Sequence, residues 1–133
     1  MAITKNKNRQ FKSVAEVAFD FADLASGVAQ EAVDLPSGAV RDSVQLYVDE
    51  AWNSATSDVI EVGDAASNAR HIASVSVAAV GGKAPVTESL GYKDNAHSAI
   101  TIKWTGVGAA PTAGKARLIV EYHHTGAGDF AQG

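Results

Sequence analysis

The sequence reads Ala99-Ile-Thr-Ile-Lys-Trp-Thr105 and, after a loop of small residues, Ala116-Arg-Leu-Ile-Val-Glu-Tyr122. In each run the large apolar side chains occupy every second position, which is the period of a half-buried β-strand. The connecting segment, Gly106-Val-Gly-Ala-Ala-Pro-Thr-Ala-Gly114, holds the glycine and proline residues that are typical of turns. We therefore predict a long antiparallel hairpin of two adjacent strands, which indicates a β-sandwich or β-barrel.

Further alternating runs occur along the rest of the chain. They predict strands over 14–24, 28–35, 43–52, 59–62, 71–80 and 86–90, separated by turn residues. Pro36-Ser-Gly38 predicts a turn and Gly81-Gly82 a strand end, while 65–70 predicts one helical turn or a loop. Seven or eight short strands at this spacing are typical of an all-β fold. We predict an antiparallel β-sandwich or jelly-roll-like module over residues 14–133.

Length and composition limit the class of protein. The chain has 133 residues, close to the size of one domain, and 46% of them are hydrophobic, as in a globular protein. It has no cysteine, which excludes disulfides and thiolate metal sites. No apolar run approaches the roughly 20 residues of a membrane span. The first residues are polar, unlike a signal peptide, so we expect neither membrane insertion nor secretion by that route.

The net charge of −4 is unevenly distributed. Residues 1–12 contain four bases, Lys5, Lys7, Arg9 and Lys12, and no acid. Residues 13–69 contain eleven acids and one base, and residues 70–133 contain six bases and four acids. We predict a flexible basic arm over residues 1–13, whose four bases bind an acidic partner through complementary charge. A merely solvated arm is the alternative.

Histidines and acids are the candidates for metal ligands. His123 and His124 are adjacent, so on a strand they point to opposite faces, and only a turn would let both bind one metal. His71 and His97 are isolated in the sequence. Asp58, Glu61 and Asp64 lie close together, but their spacing differs from that of a calcium-binding loop. We interpret them as a solvated acidic turn and predict no metal site.

Motifs for other chemistry are absent from the sequence. There is no Gly-x-Ser-x-Gly elbow for a nucleophile, no phosphate-binding lysine loop, and no basic strip between the aromatic residues. The sequence therefore predicts a protein that is not an enzyme, with no catalytic residue, no cofactor and no nucleic-acid partner.

Three segments carry a resemblance to a known family. They are Val48-Asp-Glu-Ala-Trp-Asn-Ser-Ala-Thr-Ser-Asp-Val-Ile-Glu-Val-Gly-Asp64, the stretch from Ile102 to Tyr122, and Gly126-Ala-Gly-Asp-Phe-Ala-Gln-Gly133. From about Val14 onward the chain resembles small head proteins of tailed bacteriophages. The resemblance implies a capsid decoration, or cement, protein, a β-sandwich or jelly-roll module that binds the outer shell as a trimer or dimer.

The expected function follows from this resemblance and from the charge distribution. We expect a virion structural protein on the capsid surface, assembled in the bacterial host cytoplasm, that binds the major capsid protein of the same phage and stabilises the shell. We expect it to self-associate as a trimer, with a dimer as the second choice. The alternatives are a tail, neck or fibre-associated module, or an adhesion domain that reads glycans through exposed aromatic residues such as Trp52 or Tyr92.

Overall fold

The computed structural model describes residues 3, 5, 9–83 and 89–124. The strands are β1 (Ser13–Asp20), β2 (Val28–Leu35), β3 (Ala39–Glu50), β4 (Ser57–Gly63), β5 (Ile72–Ser76), β6 (Gly81–Lys83), β7 (Ser98–Val107) and β8 (Lys115–His124). They form two antiparallel four-stranded sheets, in the orders β1-β8-β3-β6 (the first sheet) and β2-β7-β4-β5 (the second sheet). The predicted β-sandwich is confirmed. The division into an arm and a domain stays a prediction, and β1 begins at Ser13.

The core lies between the two sheets and is built by the predicted alternation. Val44, Leu46 and Val48 of β3 are fully buried, and the residues between them face outward. The same period buries the apolar positions of β4, β7 and β8, whose core residues are Ile60, Val62, Ile100, Ile102, Trp104, Ala116, Leu118 and Val120. Each fully buried Val, Leu or Ile contributes about 1.5–3 kcal/mol to stability, so this core holds the sheets together.

The predicted hairpin is wrong, because its two strands belong to different sheets. β7 pairs with β2 and β4, whereas β8 pairs with β1 and β3. Ile100, Ile102 and Trp104 therefore face Leu118 and Val120 across the core. The alternation of apolar residues indicates only that one face of each strand is buried. A hairpin within one sheet and two strands in facing sheets bury that face equally well. The segment between the strands crosses from one sheet to the other.

Glycine makes the end of this crossing possible. Gly114 has a φ of +149°, which disfavours any residue with a side chain, and it lies against the indole of Trp52. A Cβ at this position would lie 2.5 Å from Trp52 Cδ2. Trp52 itself is buried and packs on Phe19 of β1, with the ring centroids 6.1 Å apart. The close approach of backbone and indole closes this end of the sandwich.

Several strand boundaries differ from the prediction. β1 ends at Asp20 because a turn follows: Asp20 Oδ1 accepts from the Ala22 amide, and Asp23 Oδ2 accepts from the Asp20 amide. β3 begins at Ala39, four residues before the predicted start, immediately after the predicted turn over 36–38. The predicted range of β2, 28–35, is confirmed.

The region from 71 to 90 departs further from the prediction. β5 covers only Ile72–Ser76, and its Ser74 has a φ of +34°. The glycine pair predicted to end a strand instead begins the short strand β6, which pairs with residues 46–48 of β3. Of the strand predicted over 86–90, residues 86–88 lie outside the described residues, and Ser89 and Leu90 are not in a strand. The described residues include no helix with the length and apolar character needed to cross a lipid bilayer.

Replacement of Gly114 by alanine should destabilise the fold. The new Cβ would collide with the buried Trp52 indole and would occupy an unfavourable backbone conformation, which together cost about 2–3 kcal/mol. Urea unfolding followed by tryptophan fluorescence measures this change. Gly82→Ala is the control, because its Cβ would meet only Tyr47 Cδ2 at 3.8 Å, an ordinary contact. Equal unfolding free energies for the two variants would contradict the role given to Gly114.

Candidate functional site

A buried polar cluster joins the two sheets at one end of the sandwich. Arg41 of β3 is fully buried, and its Nη1 donates to Asp64 Oδ2 at 2.8 Å. Its Nη2 donates to Ser98 Oγ at 3.2 Å. Arg41 belongs to the first sheet, whereas Asp64 follows β4 and Ser98 begins β7 in the second. One guanidinium therefore connects both sheets, and we call this group with its neighbours His71 and Arg70 the Arg41 cluster.

Asp64 is held as a carboxylate by several donors. Arg70 Nε donates to its Oδ2 at 2.6 Å, and the backbone amides of Ala66 and Ser67 donate to its Oδ1. Burial acts to raise the pKa of Asp64, but the hydrogen bonds from Arg41, Arg70 and Ser67 outweigh it and lower the pKa. The negative charge thus persists in the interior and compensates the charge of Arg41.

His71 is fixed in one neutral tautomer by its neighbours. Arg41 Nη1 lies 2.7 Å from His71 Nε2, and since a guanidinium only donates, Nε2 must accept. Nδ1 then carries the hydrogen and donates to Ser89 Oγ at 3.0 Å. Burial, followed by the charge of Arg41, lowers the pKa of His71 to about 4. His71 is therefore neutral near pH 7.

Tyr92 covers the cluster. Arg70 and Arg41 lie over its ring, with their guanidinium carbons 4.0 and 4.9 Å from the ring centroid. Its backbone carbonyl accepts from the Arg41 amide at 3.0 Å. Because Arg41, Asp64 and His71 are buried and bonded to one another, this arrangement holds the sheets together and offers no open site for a substrate.

The interpretation of the acidic residues as a solvated turn is wrong. Asp58 is buried and accepts from Trp104 Nε1 at 2.9 Å and from the Ser54 amide at 2.8 Å. Asp64 is buried in the Arg41 cluster, and Glu61 accepts from Ser74 Oγ at 3.2 Å. The carboxylates thus bind donors of the protein itself. Among the residues that the structure describes, no three His, Asp or Glu side chains converge as metal ligands do.

Four other candidate residues, two histidines and two aromatic residues, also contact other groups of the protein. His123 Nδ1 lies 2.7 Å from Asp42 Oδ2, whereas the His124 ring lies near Tyr122 with centroids 6.4 Å apart. Trp52 is 2% exposed, so the prediction that it could lie on the surface and read glycans is wrong. Tyr92, the other residue suggested for that role, is partly buried against two arginines.

The bases of the predicted arm occupy the chain before β1. Lys5, Arg9 and Lys12 are exposed, and Lys7 lies outside the described residues. Ile3 is 95% exposed and Phe11 is 51% exposed, so this segment presents apolar as well as basic side chains. The binding role predicted for the four bases stays a prediction.

The sandwich is open along one side, between the edge strands β1 and β2. The cleft between them has a volume of about 320 Å³. Its lining is formed by Val17, Ala18, Phe19, Asp23, Leu24, Gln30, Glu31, Ala32 and Ile102. We call this cleft and the two flanking strands the β1–β2 seam. Sequence reasoning missed it because the positions of edge strands depend on the order of strands in the sheets.

Comparison with known proteins gives structural neighbours only. No family model and no curated protein matches the chain. A chain of the capsid asymmetric unit of cyanophage Pam1 is similar, with a TM-score of 0.72, 23% identity, and coverage of 93% of this chain and 91% of that one. The likeness establishes the fold.

Two further solved chains share this fold. One is from the acidic stable capsid of Helicobacter pylori bacteriophage KHP30, with a TM-score of 0.69, 16% identity, and coverage of 90% of this chain and 94% of that one. The other is from the capsid of Ralstonia phage GP4, with a TM-score of 0.58, 22% identity, and coverage of 96% and 92%.

Neutralising Asp64 should destabilise the sandwich strongly. In Asp64→Asn the shape is kept, but the buried Arg41 charge loses its counter-ion, which costs about 3–5 kcal/mol. The matched control is Asp49→Asn, because Asp49 pairs with Arg117 on the surface, where both side chains are more than a third exposed. Chemical denaturation of both variants measures the difference. A loss no larger for Asp64→Asn than for Asp49→Asn would contradict the role of the cluster.

His71 should make stability fall as the pH decreases from about 6.5 to about 4. Its folded-state pKa of about 4 lies below the unfolded value of 6.5, so in this interval the unfolded chain binds the proton and is favoured. The full effect is about 3 kcal/mol, present above pH 6.5 and lost towards pH 4. Unfolding free energies measured across this interval should depend less on pH in His71→Gln. His97→Gln, which alters an exposed histidine, is the matched control, and an equal change of slope in both variants would contradict the role of His71.

Proposed function

We propose that this chain is a structural protein of a tailed-phage virion. It binds the outer surface of the capsid as a decoration, or cement, protein and stabilises the shell. The observation that carries the proposal is the reciprocal coverage of three phage-capsid chains, which is at least 90% in both directions. Those chains therefore consist of little beyond this fold.

The interior of the molecule supports a structural role. Its buried charges, Arg41, Asp58 and Asp64, each bind groups of the protein itself. A sandwich whose sheets are connected in this way is a stiff body that can hold two neighbouring shell subunits in one geometry. Many weak contacts of identical copies then add up on a symmetric lattice. The proposal includes no enzymatic activity.

The partners in this proposal are the major capsid protein of the same phage and other copies of this chain. We propose a trimer, with a dimer as the second choice, located on the capsid surface after assembly in the host cytoplasm. The exposed bases Lys5, Arg9 and Lys12, together with Lys7, contact an acidic surface of the shell or of a sister copy.

Binding to shells tests the proposed function. The purified chain is mixed with shells of its own phage that lack it, the shells are sedimented, and the bound copies are counted. We expect saturable binding at a number that matches the three-fold sites of the lattice, or the two-fold sites for a dimer, and a higher melting temperature of the decorated shells. No binding to intact shells would contradict the proposal and favour a tail, neck or fibre location.

Removal of the basic arm charges should weaken this binding. The variant with alanine at Lys5, Lys7, Arg9 and Lys12 should bind shells less tightly and with a smaller dependence on salt, because screened charge pairs are lost. The control replaces Lys83, Lys93, Lys103 and Lys115 by alanine, which removes the same charge from other surfaces. Titration of shells at low and high salt measures both. Unchanged occupancy of the arm variant would contradict the contact.

A further inference from the structure

We propose that the basic arm of one copy lies along the β1–β2 seam of a second copy of this chain. This inference rests on the proposed function for the setting in which copies meet, on the shell surface. It adds to that function the surface that receives the arm. The segment that lies in the seam is the arm of a neighbouring copy, so the contact joins two copies of the chain.

The strand order leaves the seam as the accessible edge of the sandwich. In the described part of the chain, β1 pairs only with β8 and β2 only with β7, so each eight-residue strand has one free side. The opposite edges are poorer templates, since β6 has three residues and β5 is interrupted by the positive φ of Ser74. Long edge strands accept an extended segment by main-chain hydrogen bonding.

Charge complementarity identifies the occupant. Residues 13–35, which form β1, β2 and the turn between them, contain five acids and no base. These acids are Glu16, Asp20, Asp23, Glu31 and Asp34. Residues 1–12 contain four bases and no acid. The two segments therefore have opposite charge, and an extended arm along the seam brings its bases near these carboxylates.

The apolar groups of the two surfaces also correspond. Ile3 is almost fully exposed, and in the receiving seam the cleft is walled by Val17, Phe19 and Leu24. Insertion of Ile3 into this cleft removes apolar surface from water on both sides. The cleft volume of about 320 Å³ admits an isoleucine side chain. An extended segment placed on an edge commonly gains its specificity from side chains in such pockets.

The course of the chain favours a second copy over the arm's own seam. Residues 9–12, Arg-Gln-Phe-Lys, include none of the Gly, Pro, Asn, Asp and Ser residues that favour turns, so a tight reversal into the same seam is disfavoured immediately before β1. Twelve extended residues span about 40 Å. The radius of gyration of a domain of this size is only about 14 Å, so an extended arm is long enough to span from one copy to a neighbouring copy.

Photo-crosslinking of the full-length chain tests the inference. The chain carries p-benzoylphenylalanine in place of Ile3, and equal amounts of nitrogen-15-labelled and unlabelled copies are mixed, so that mass spectrometry separates crosslinks between copies from those within one copy. The mixture is irradiated in concentrated solution and on shells. We expect crosslinks between copies to residues 17–32. Crosslinks found only within one copy, only to the shell protein, or only to other surfaces would overturn the inference.

A charge exchange gives the matched control. Lys5→Glu with Lys12→Glu should lower the yield of crosslinks between copies about tenfold at low salt, as expected for two or three weakened surface ion pairs. Adding Glu31→Lys and Asp34→Lys to the seam should restore the yield, whereas Glu61→Lys with Glu121→Lys should not. Restoration by both pairs alike, or by neither, would overturn the inference. Failure of the parent chain to sediment with shells would instead contradict the proposed function. The crosslinks formed in solution would still show whether the arm of one copy lies in the seam of another.

Discussion

The ion pair between Arg41 and Asp64 determines how the two sheets sit on one another. Both groups are buried, so the attraction acts in a medium of low polarity and neither charge can turn to water. A buried pair of this kind adds little net stability compared with apolar residues, but any arrangement that separates the charges is strongly disfavoured. The pair therefore selects one relative position of β3 and β4. Arg70 and Tyr92 extend this constraint to the segments that follow β4 and precede β7.

Most of the fold could be predicted from the period of the sequence, because burial of one strand face is a local property. The inward positions of β3, β7 and β8 and the extent of β2 agree with the alternation of apolar residues. Which strands pair with one another could not be predicted in this way. A hairpin and a crossing between sheets bury the same side chains, and the difference depends on contacts such as that between Gly114 and Trp52, 62 positions apart in the sequence.

The buried cluster escaped sequence reasoning because a bulge reverses the alternation of β3. Val44, Leu46 and Val48 point inward, and continuing the period backwards would place Asp42 inward and Arg41 outward. The register shifts between Arg41 and Ser43, and this shift turns Arg41 and Ala39 towards the core. Arg41 and its partner Asp64 are also 23 residues apart. An alternating strand interrupted by consecutive polar residues is the signal that could have indicated a bulge.

The strand order has a consequence for folding during synthesis on the ribosome. β8 is a central strand of the first sheet and lies between β1 and β3, although it is the last strand in the described part of the chain. Until residues 115–124 have been synthesised, β1 lacks β8, the strand with which it pairs, and β3 lacks the longer of its two partner strands. The apolar faces of β1 and β3 therefore cannot yet pack as part of a complete sheet. Formation of the first sheet must therefore wait until β8 has been synthesised, and contacts of such large sequence separation make folding slow. During this interval the unpaired strand edges and apolar faces are exposed to association with other chains.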